Sequence, residues 1–161
     1  LAYTYWREKG LEAVIVRLFN TVGPRQTGSY GMVLPTFVGQ ALRDQPITIF
    51  GDGTQSRCFC HVSDVVTATI ALAEHPLAFG KVFNLGGAEE ISIQELAERV
   101  IRITGSRSEL TFTAYDTAYE EGFEDMARRV PNTDRARGLV GFEPLVDLDD
   151  IIQSVVEEHR G

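Results

Sequence analysis

Asn20 closes an apolar run, Ala13-Val14-Ile15-Val16-Arg17-Leu18-Phe19, and opens the loop Thr21-Val22-Gly23-Pro24-Arg25. In open α/β sheets, ligands bind beyond the carboxyl ends of the strands. The Asn20 amide therefore stands where a phosphate or a sugar hydroxyl would be met. Arg25 follows a Gly-Pro turn, and its planar guanidinium matches phosphate or carboxylate. The plain alternative is that Asn20 caps the loop and Arg25 is solvated. A second group runs from Thr48-Ile49-Phe50 through Gly51-Asp52-Gly53 to Arg57-Cys58-Phe59-Cys60-His61. Phe50 ends a short strand and can stack on a planar base. Arg57 lies among apolar and acidic neighbours, so its charge needs a partner, either a phosphate or Asp64. His61 can shuttle protons, although a lone His beside an apolar run is more often structural. A third group is Arg128-Arg129-Val130-Pro131-Asn132, where two arginines ahead of a helix cap can close over an anion or simply be solvated.

Several other chemistries find no carrier. The sequence has no G-x-x-x-x-G-K-[ST], no G-x-G-x-x-G before a helix and no G-x-S-x-G elbow. It has no H-E-x-x-H, its three histidines are scattered, and no metal site is expected. The 161 residues carry 15 Lys+Arg against 23 Asp+Glu, a formal net charge of -8. That balance argues against a general nucleic-acid binder or a surface for anionic membranes. Cys58 and Cys60 form a C-x-C, a spacing that seldom suits a disulfide and makes a poor zinc site without further ligands. Both are expected to be reduced, which together with the lack of an apolar run long enough to span a membrane points to the cytoplasm. The chain starts Leu1-Ala2-Tyr3-Thr4, without an initiator Met, which suggests a fragment or a processed chain.

The elements that would position these residues follow an α/β pattern. Leu1 to Lys9 is expected to be helical and stopped by Gly10. Residues 13–19 suit a strand buried on both faces. Met32 to Arg43 returns to helical spacing, and Pro46 to Phe50 is a short strand. Ser56 to Val62 is extended, with Ser63 or Asp64 capping a helix to about Glu74. Lys81 to Leu85 is a second buried strand, ending in Gly86-Gly87. Ser92-x-x-Glu95 is a capping box for a helix that Gly105 ends. Leu110 to Thr113 is a strand, and residues 116–129 are polar and irregular. Asn132 or Thr133 caps a short helix ending near Gly138, and Asp147 to Glu158 forms the last helix.

At these motifs the chain resembles the C-terminal half of an NAD-dependent epimerase/dehydratase of the extended short-chain dehydrogenase type. The likeness rests on Arg17-Leu18-Phe19-Asn20-Thr21-Val22-Gly23-Pro24-Arg25-Gln26, on Thr48 to Arg57, and on His61-Val62-Ser63-Asp64-Val65. Val82-Phe83-Asn84-Leu85-Gly86 and Arg128 to Asn132 complete it. It is nearest to UDP-glucose 4-epimerases and UDP-glucuronate decarboxylases. It implies terminal strands of a Rossmann-type parallel sheet (residues 12–19 and 81–85) plus the small α/β substrate-binding domain. Residues 1–161 would be one substrate-binding portion, with the N-terminal NAD-binding half absent from the sequence. The implied ligands are NAD and a UDP-sugar or other NDP-sugar, and the full-length protein would be a homodimer.

The resemblance also implies residue roles. Asn20 and Arg57 would meet the diphosphate, Val33 the base, and Thr48, Ile49 and Phe50 the wall of the uracil pocket. Arg128 or Arg129 would close the site from the far loop, and Arg25 stays a substrate-binding candidate on its chemistry. The backbone after Phe19 would pass the nicotinamide. One departure is decisive for activity. The family's Gly-rich loop and its catalytic Y-x-x-x-K are missing. Tyr5 and Lys9 have that spacing, but they stand directly before Gly10 and the first strand, past the place where the family carries the pair, and are read as coincidence. No catalytic residue is therefore assigned, and the chain alone is expected to be inactive. Alternatives are a decarboxylase, a 4,6-dehydratase or a non-catalytic nucleotide-sugar-binding module. Strands without their neighbours should expose apolar edges and favour association.

Overall fold

The computed structural model describes residues 1–26, 32–114 and 126–160. Helix α1 (Ala2–Lys9) ends where Gly10 turns left-handed, φ 67°. It buries no side chain fully; Trp6 covers Gly80, where a Cβ would stand 2.2 Å from the indole. Strand β1 (Ile15–Phe19) pairs in parallel with β6 (Val82–Gly86), from Ile15 opposite Val82 to Phe19 opposite Gly86. Helix α3 (Val62–Ala73) and helix α5 (Asp134–Val140) pack there around Val65, Leu72, Phe83, Leu85 and Ala136. The expectation that residues 13–19 are buried on both faces needs correction. The strand starts at Ile15, and Arg17 and Leu18 are exposed, Leu18 by 50%. Among the described residues β1 has β6 as its one strand neighbour, so part of its surface goes uncovered.

The second core lies between α2 (Val33–Ala41), α4 (Ile93–Thr104) and α6 (Leu148–Arg160). Leu34, Val38, Leu96, Val100, Ile152 and Val155 are fully buried in it. Strand β3 (Ile47–Phe50) runs parallel to β8 (Leu110–Thr113) and lays Ile47 and Ile49 against this core. The short β2 (Thr21–Val22) pairs in parallel with β5 (Cys60–His61). Strand β4 (Ser56–Cys58) is central to a three-stranded sheet, antiparallel to β7 (Glu90–Ser92) and parallel to β9 (Arg128–Arg129).

The helix caps show where local chemistry decides and where it does not. At α4, Ser92 Oγ accepts from the Glu95 amide at 3.1 Å, and the Glu95 carboxylate accepts from the Ser92 amide at 3.0 Å. The expected capping box is complete, and its hydrogen bonds lower the Glu95 carboxyl below its ordinary value. At α3 the cap is His61 rather than Ser63 or Asp64: its Nδ1 accepts from the Ser63 amide at 3.3 Å. Asp64 is drawn elsewhere, accepting from the amides of Leu145 and Val146 at 3.1 and 3.2 Å. It thereby ties α3 to the segment entering α6. Helix α5 runs past Gly138 to Val140, and Gly141 ends it at φ 68°. The irregular segment expected over 116–129 instead ends in β9, while 115–125 lie outside the described residues. A two-residue strand carries no periodicity, so only its pairing with β4 reveals it.

Cys58 and Cys60 are free and buried. Burial pushes the Cys60 thiol up to about 12, with the Asp64 charge adding to it. A thiol that ionises at 9.0 when unfolded but near 12 when folded stabilises the native state fully below pH 9. That contribution is lost as pH rises towards 12, because only the unfolded chain releases the proton there. Stability measured by urea unfolding is expected to fall along this alkaline limb, and Cys60→Ala to flatten it. An unchanged limb would contradict the assignment.

Candidate functional site

The loop after β1 turns on Asn20, which sits in the left-handed region at φ 40°. Its side-chain amide donates to the Cys58 carbonyl at 2.8 Å, and its own carbonyl accepts from the Cys60 amide at 3.2 Å. Asn20 thus stitches the end of β1 to the β4–β5 segment. Asn tolerates this backbone where a residue with an ordinary Cβ is strained. Asn20→Ala is expected to cost about 2–3 kcal/mol in urea unfolding, from backbone strain plus the lost hydrogen bond. Asn20→Gly should recover about 1 kcal/mol of that, since glycine accepts positive φ. Equal losses for the two would remove strain from the account.

Arg25 also has a left-handed backbone, φ 66°, and is exposed in the turn after β2. Val33 is half-buried as the first residue of α2, against the second core. The residues between, 27–31, lie outside the described part of the chain. In the same loop Thr21 Oγ1 and Gln26 Oε1 are buried and have no hydrogen-bond partner among the described residues, a feature that spacing alone does not reveal.

Strand alternation sorts the three residues of β3. Ile49 is fully buried in the core, so its side chain cannot wall a pocket and only its peptide groups are available. Thr48 and Phe50 face the other way and are half-buried. Gln40 of α2 holds Thr48 at both ends: its Oε1 accepts from the Thr48 amide at 3.2 Å and its Nε2 donates to the Thr48 hydroxyl at 3.3 Å. The turn after Phe50 uses positive φ at Gly51 and Gly53, and Gln55 Nε2 donates to the Phe50 carbonyl at 2.8 Å.

Arg57 is 8% exposed. Its Nη1 donates to the Ser56 and Met126 carbonyls at 2.7 and 2.8 Å, and Asp64, the acidic partner considered above, is occupied at the α6 entry instead. The β4–β9 register resolves the arginine pair. Arg128 lies opposite Ser56, and Arg129 lies opposite Arg57. Lateral partners in a ladder share a face, about 4.8 Å apart along the hydrogen-bond direction. Arg57 and Arg129 therefore present their cationic side chains from the same face of the sheet. Arg128 points to the other face, where Glu90 takes its Nε and Nη2, each at 2.8 Å. Ser56 Oγ donates to the same carboxylate at 2.5 Å. These contacts lower the Glu90 carboxyl and raise Arg128. The sequence reading did not foresee Glu90, because acids beside a strand carry no mark of which arginine they will meet. Arg129 instead lies over the Phe19 ring, its Cζ 5.3 Å from the centroid.

His61 is committed to the α3 cap and to the Ser63 hydroxyl, 2.7 Å away. Tyr5 is half exposed on α1. A surface cavity of about 440 Å³ lies at the C-terminal ends of α2, α4 and α6, and it shares no lining residue with the groups above. Among the described residues no cluster of His, Cys, Asp or Glu suits a metal ion, and no helix is long and apolar enough to cross a membrane.

The sequence and the fold are similar to those of known proteins. The family model described as "NAD dependent epimerase/dehydratase family" matches residues 1–86. The chain is 35% identical over 153 residues to the UDP-N-acetyl-alpha-D-glucosaminuronate decarboxylase of Bacillus cytotoxicus, covering 94% of itself and 47% of that protein. It is 36% identical to UDP-glucuronic acid decarboxylase 1 of Arabidopsis thaliana, covering 99% of itself and 35% of that protein. It thus spans between about a third and a half of the curated relatives it matches. A crystal structure of the UDP-glucuronic acid 4-epimerase of Bacillus cereus with UDP-glucuronic acid and NAD superposes with a TM-score of 0.86 at 28% identity. There the match covers 99% of this chain and 48% of that one. The UDP-glucose 4-epimerase of Thermotoga maritima, solved with UDP-glucose, gives a TM-score of 0.86 at 30% identity, over 97% and 48% of the two chains. With the family model matching more than half of its length and the fold shared with solved members, this chain belongs to the NAD-dependent epimerase/dehydratase family.

Proposed function

We propose that this chain is the nucleotide-sugar-binding portion of an NAD-dependent sugar epimerase acting through transient oxidation to a keto-sugar. The observation that carries this reading is the pairing of Arg57 with Arg129 on one face of β4–β9, near the carboxyl end of β1. Two arginines carried side by side in a ladder match the charge of a diphosphate. Asn20 and Arg25 supply further donors from the loop after β1. Phe50 and Thr48 offer a half-buried surface for the base, with Ile49 contributing main chain only and Val33 approaching from α2. Arg128 holds the sheet edge through Glu90 rather than the ligand.

The residues present fit one end of NAD. The carboxyl end of the parallel β1–β6 pair, where the backbone leaves Phe19, is where a nicotinamide meets a sheet of this kind. The sequence contains no Gly-rich turn for the pyrophosphate. The chemistry supplied by bound NAD would be reversible hydride transfer at the sugar carbon. The residues here bind the nucleotide, neutralise its diphosphate and orient the sugar. The whole protein is expected to use a UDP-sugar as a homodimer. A second reading, UDP-glucuronate decarboxylase, is favoured by the names of the curated relatives, which are 32–36% identical.

Calorimetric titration of the chain with UDP tests the proposal. Binding of UDP well above that of uridine is expected, and no binding at millimolar UDP would overturn it. In a protein that joins this chain to an NAD-binding half, UDP-glucuronate then separates the readings. The epimerase gives UDP-galacturonate, and the decarboxylase gives a UDP-pentose and carbon dioxide. The chain alone, supplied with NAD and UDP-glucuronate, is expected to show no turnover.

A further inference from the structure

Phe19 ends β1, and Arg129 belongs to β9, 110 positions later in the chain. The guanidinium carbon of Arg129 nevertheless lies 5.3 Å from the centre of the Phe19 ring. The neighbouring chain leaves little freedom here. Gly86, the register partner of Phe19, has no space for a side chain: a Cβ would stand 2.7 Å from Phe19 Cβ and 2.8 Å from Pro131 Cγ. Pro131, two residues beyond Arg129, is thus pressed against the same strand end. Arg128, next in sequence, has a carboxylate for a partner. Arg129 has an aromatic face, which holds a cation without neutralising it. A carboxylate in that place would cancel the charge that an anionic ligand needs, whereas a ring leaves the guanidinium edge able to donate.

We propose that Phe19 is a positioning residue for the nucleotide sugar: its ring holds Arg129 beside Arg57, so that both charges meet one diphosphate. This rests on the diphosphate reading of the Arg57–Arg129 pair given above. It assigns the Phe19 side chain a task on the phosphate side of the site, separate from the passage of its backbone near the cofactor.

Calorimetric titration of UDP and of uridine into the chain and its variants tests this. Phe19→Leu is expected to weaken UDP about three- to tenfold, the range of a partly buried cation–π contact, and to leave uridine unchanged. Phe19→Tyr keeps the ring and should restore UDP affinity. In an Arg129→Gln background, Phe19→Leu should have no further effect, because its route to the ligand is gone. Should Phe19→Leu not fold, trifluorinated phenylalanine at position 19 preserves the packing and drains the ring's negative face. The same selective loss of UDP affinity is expected. Equal loss of UDP and uridine, an unchanged UDP affinity, or a full effect of Phe19→Leu in the Arg129→Gln background would each overturn the proposal while leaving the diphosphate site standing. Failure of the unsubstituted chain to bind UDP overturns both.

Discussion

Arg129→Gln is expected to weaken UDP binding by about 10- to 100-fold, as loss of one charged hydrogen-bonding partner of a diphosphate should. Uridine binding should be unchanged. Arg128→Gln, the adjacent substitution, should change UDP affinity less than about twofold. It removes an exposed bidentate ion pair with Glu90, which solvent screening leaves with little weight in stability. The contrast follows from strand geometry alone. Residues next to each other on β9 point to opposite faces, and the register puts only Arg129 beside Arg57. Calorimetry with both variants decides it. Equal effects of the two substitutions, or a larger effect at Arg128, would show that the ligand approaches from the Glu90 face. Salt supplies a second reading, since an exposed pair such as Arg128–Glu90 loses most of its attraction by 1 M ionic strength.

Gly87→Ala is expected to be the most damaging alanine substitution among the described glycines. A Cβ at Gly87 would lie 1.9 Å from the Phe59 carbonyl oxygen and 2.8 Å from its carbon. Both are backbone atoms, so no side-chain rotation relieves the clash. The Gly87 segment or the 58–60 segment must move, and the latter carries the Cys58 carbonyl that accepts from Asn20. Overpacking against backbone should cost about 3 kcal/mol or more, or prevent folding. Gly138→Ala is the control: nothing lies within 4 Å of a Cβ there, and a helix interior favours alanine over glycine by about 1 kcal/mol. Urea midpoints should fall for the first and hold or rise for the second. A Gly87→Ala chain with an unchanged midpoint would contradict the close approach.

Much of the fold is written locally. The 3.6-residue spacing of α2, α4 and α6 and the left-handed stops at Gly10 and Gly105 depend on residues within a few positions of one another. The Ser92–Glu95 box is equally local. The order of motifs from Arg17 to Asn132 likewise sufficed to identify the family. At two places where local reading failed, a distant partner had intervened. Asp64, a natural cap for α3, was claimed by amides 81 and 82 positions away, and His61 took the cap. Leu18 reads as a core residue by type but is exposed, since burial depends on which strands and helices lie alongside.

For the site, the sequence by itself determined the candidates: Asn20 at a strand end, arginines at 25, 57, 128 and 129, and a Thr-Ile-Phe strand. Only the tertiary structure decided which of them stand together. The β4–β9 register set Arg129, not Arg128, opposite Arg57, alternation along β3 sent Ile49 into the core, and the Phe19 ring met a guanidinium from 110 positions later. The reason is physical. Propensities, caps and periodicities are interactions between near neighbours in sequence, so composition and spacing encode them. Strand register and facing are set by packing between segments more than thirty residues apart, and no local pattern carries that information.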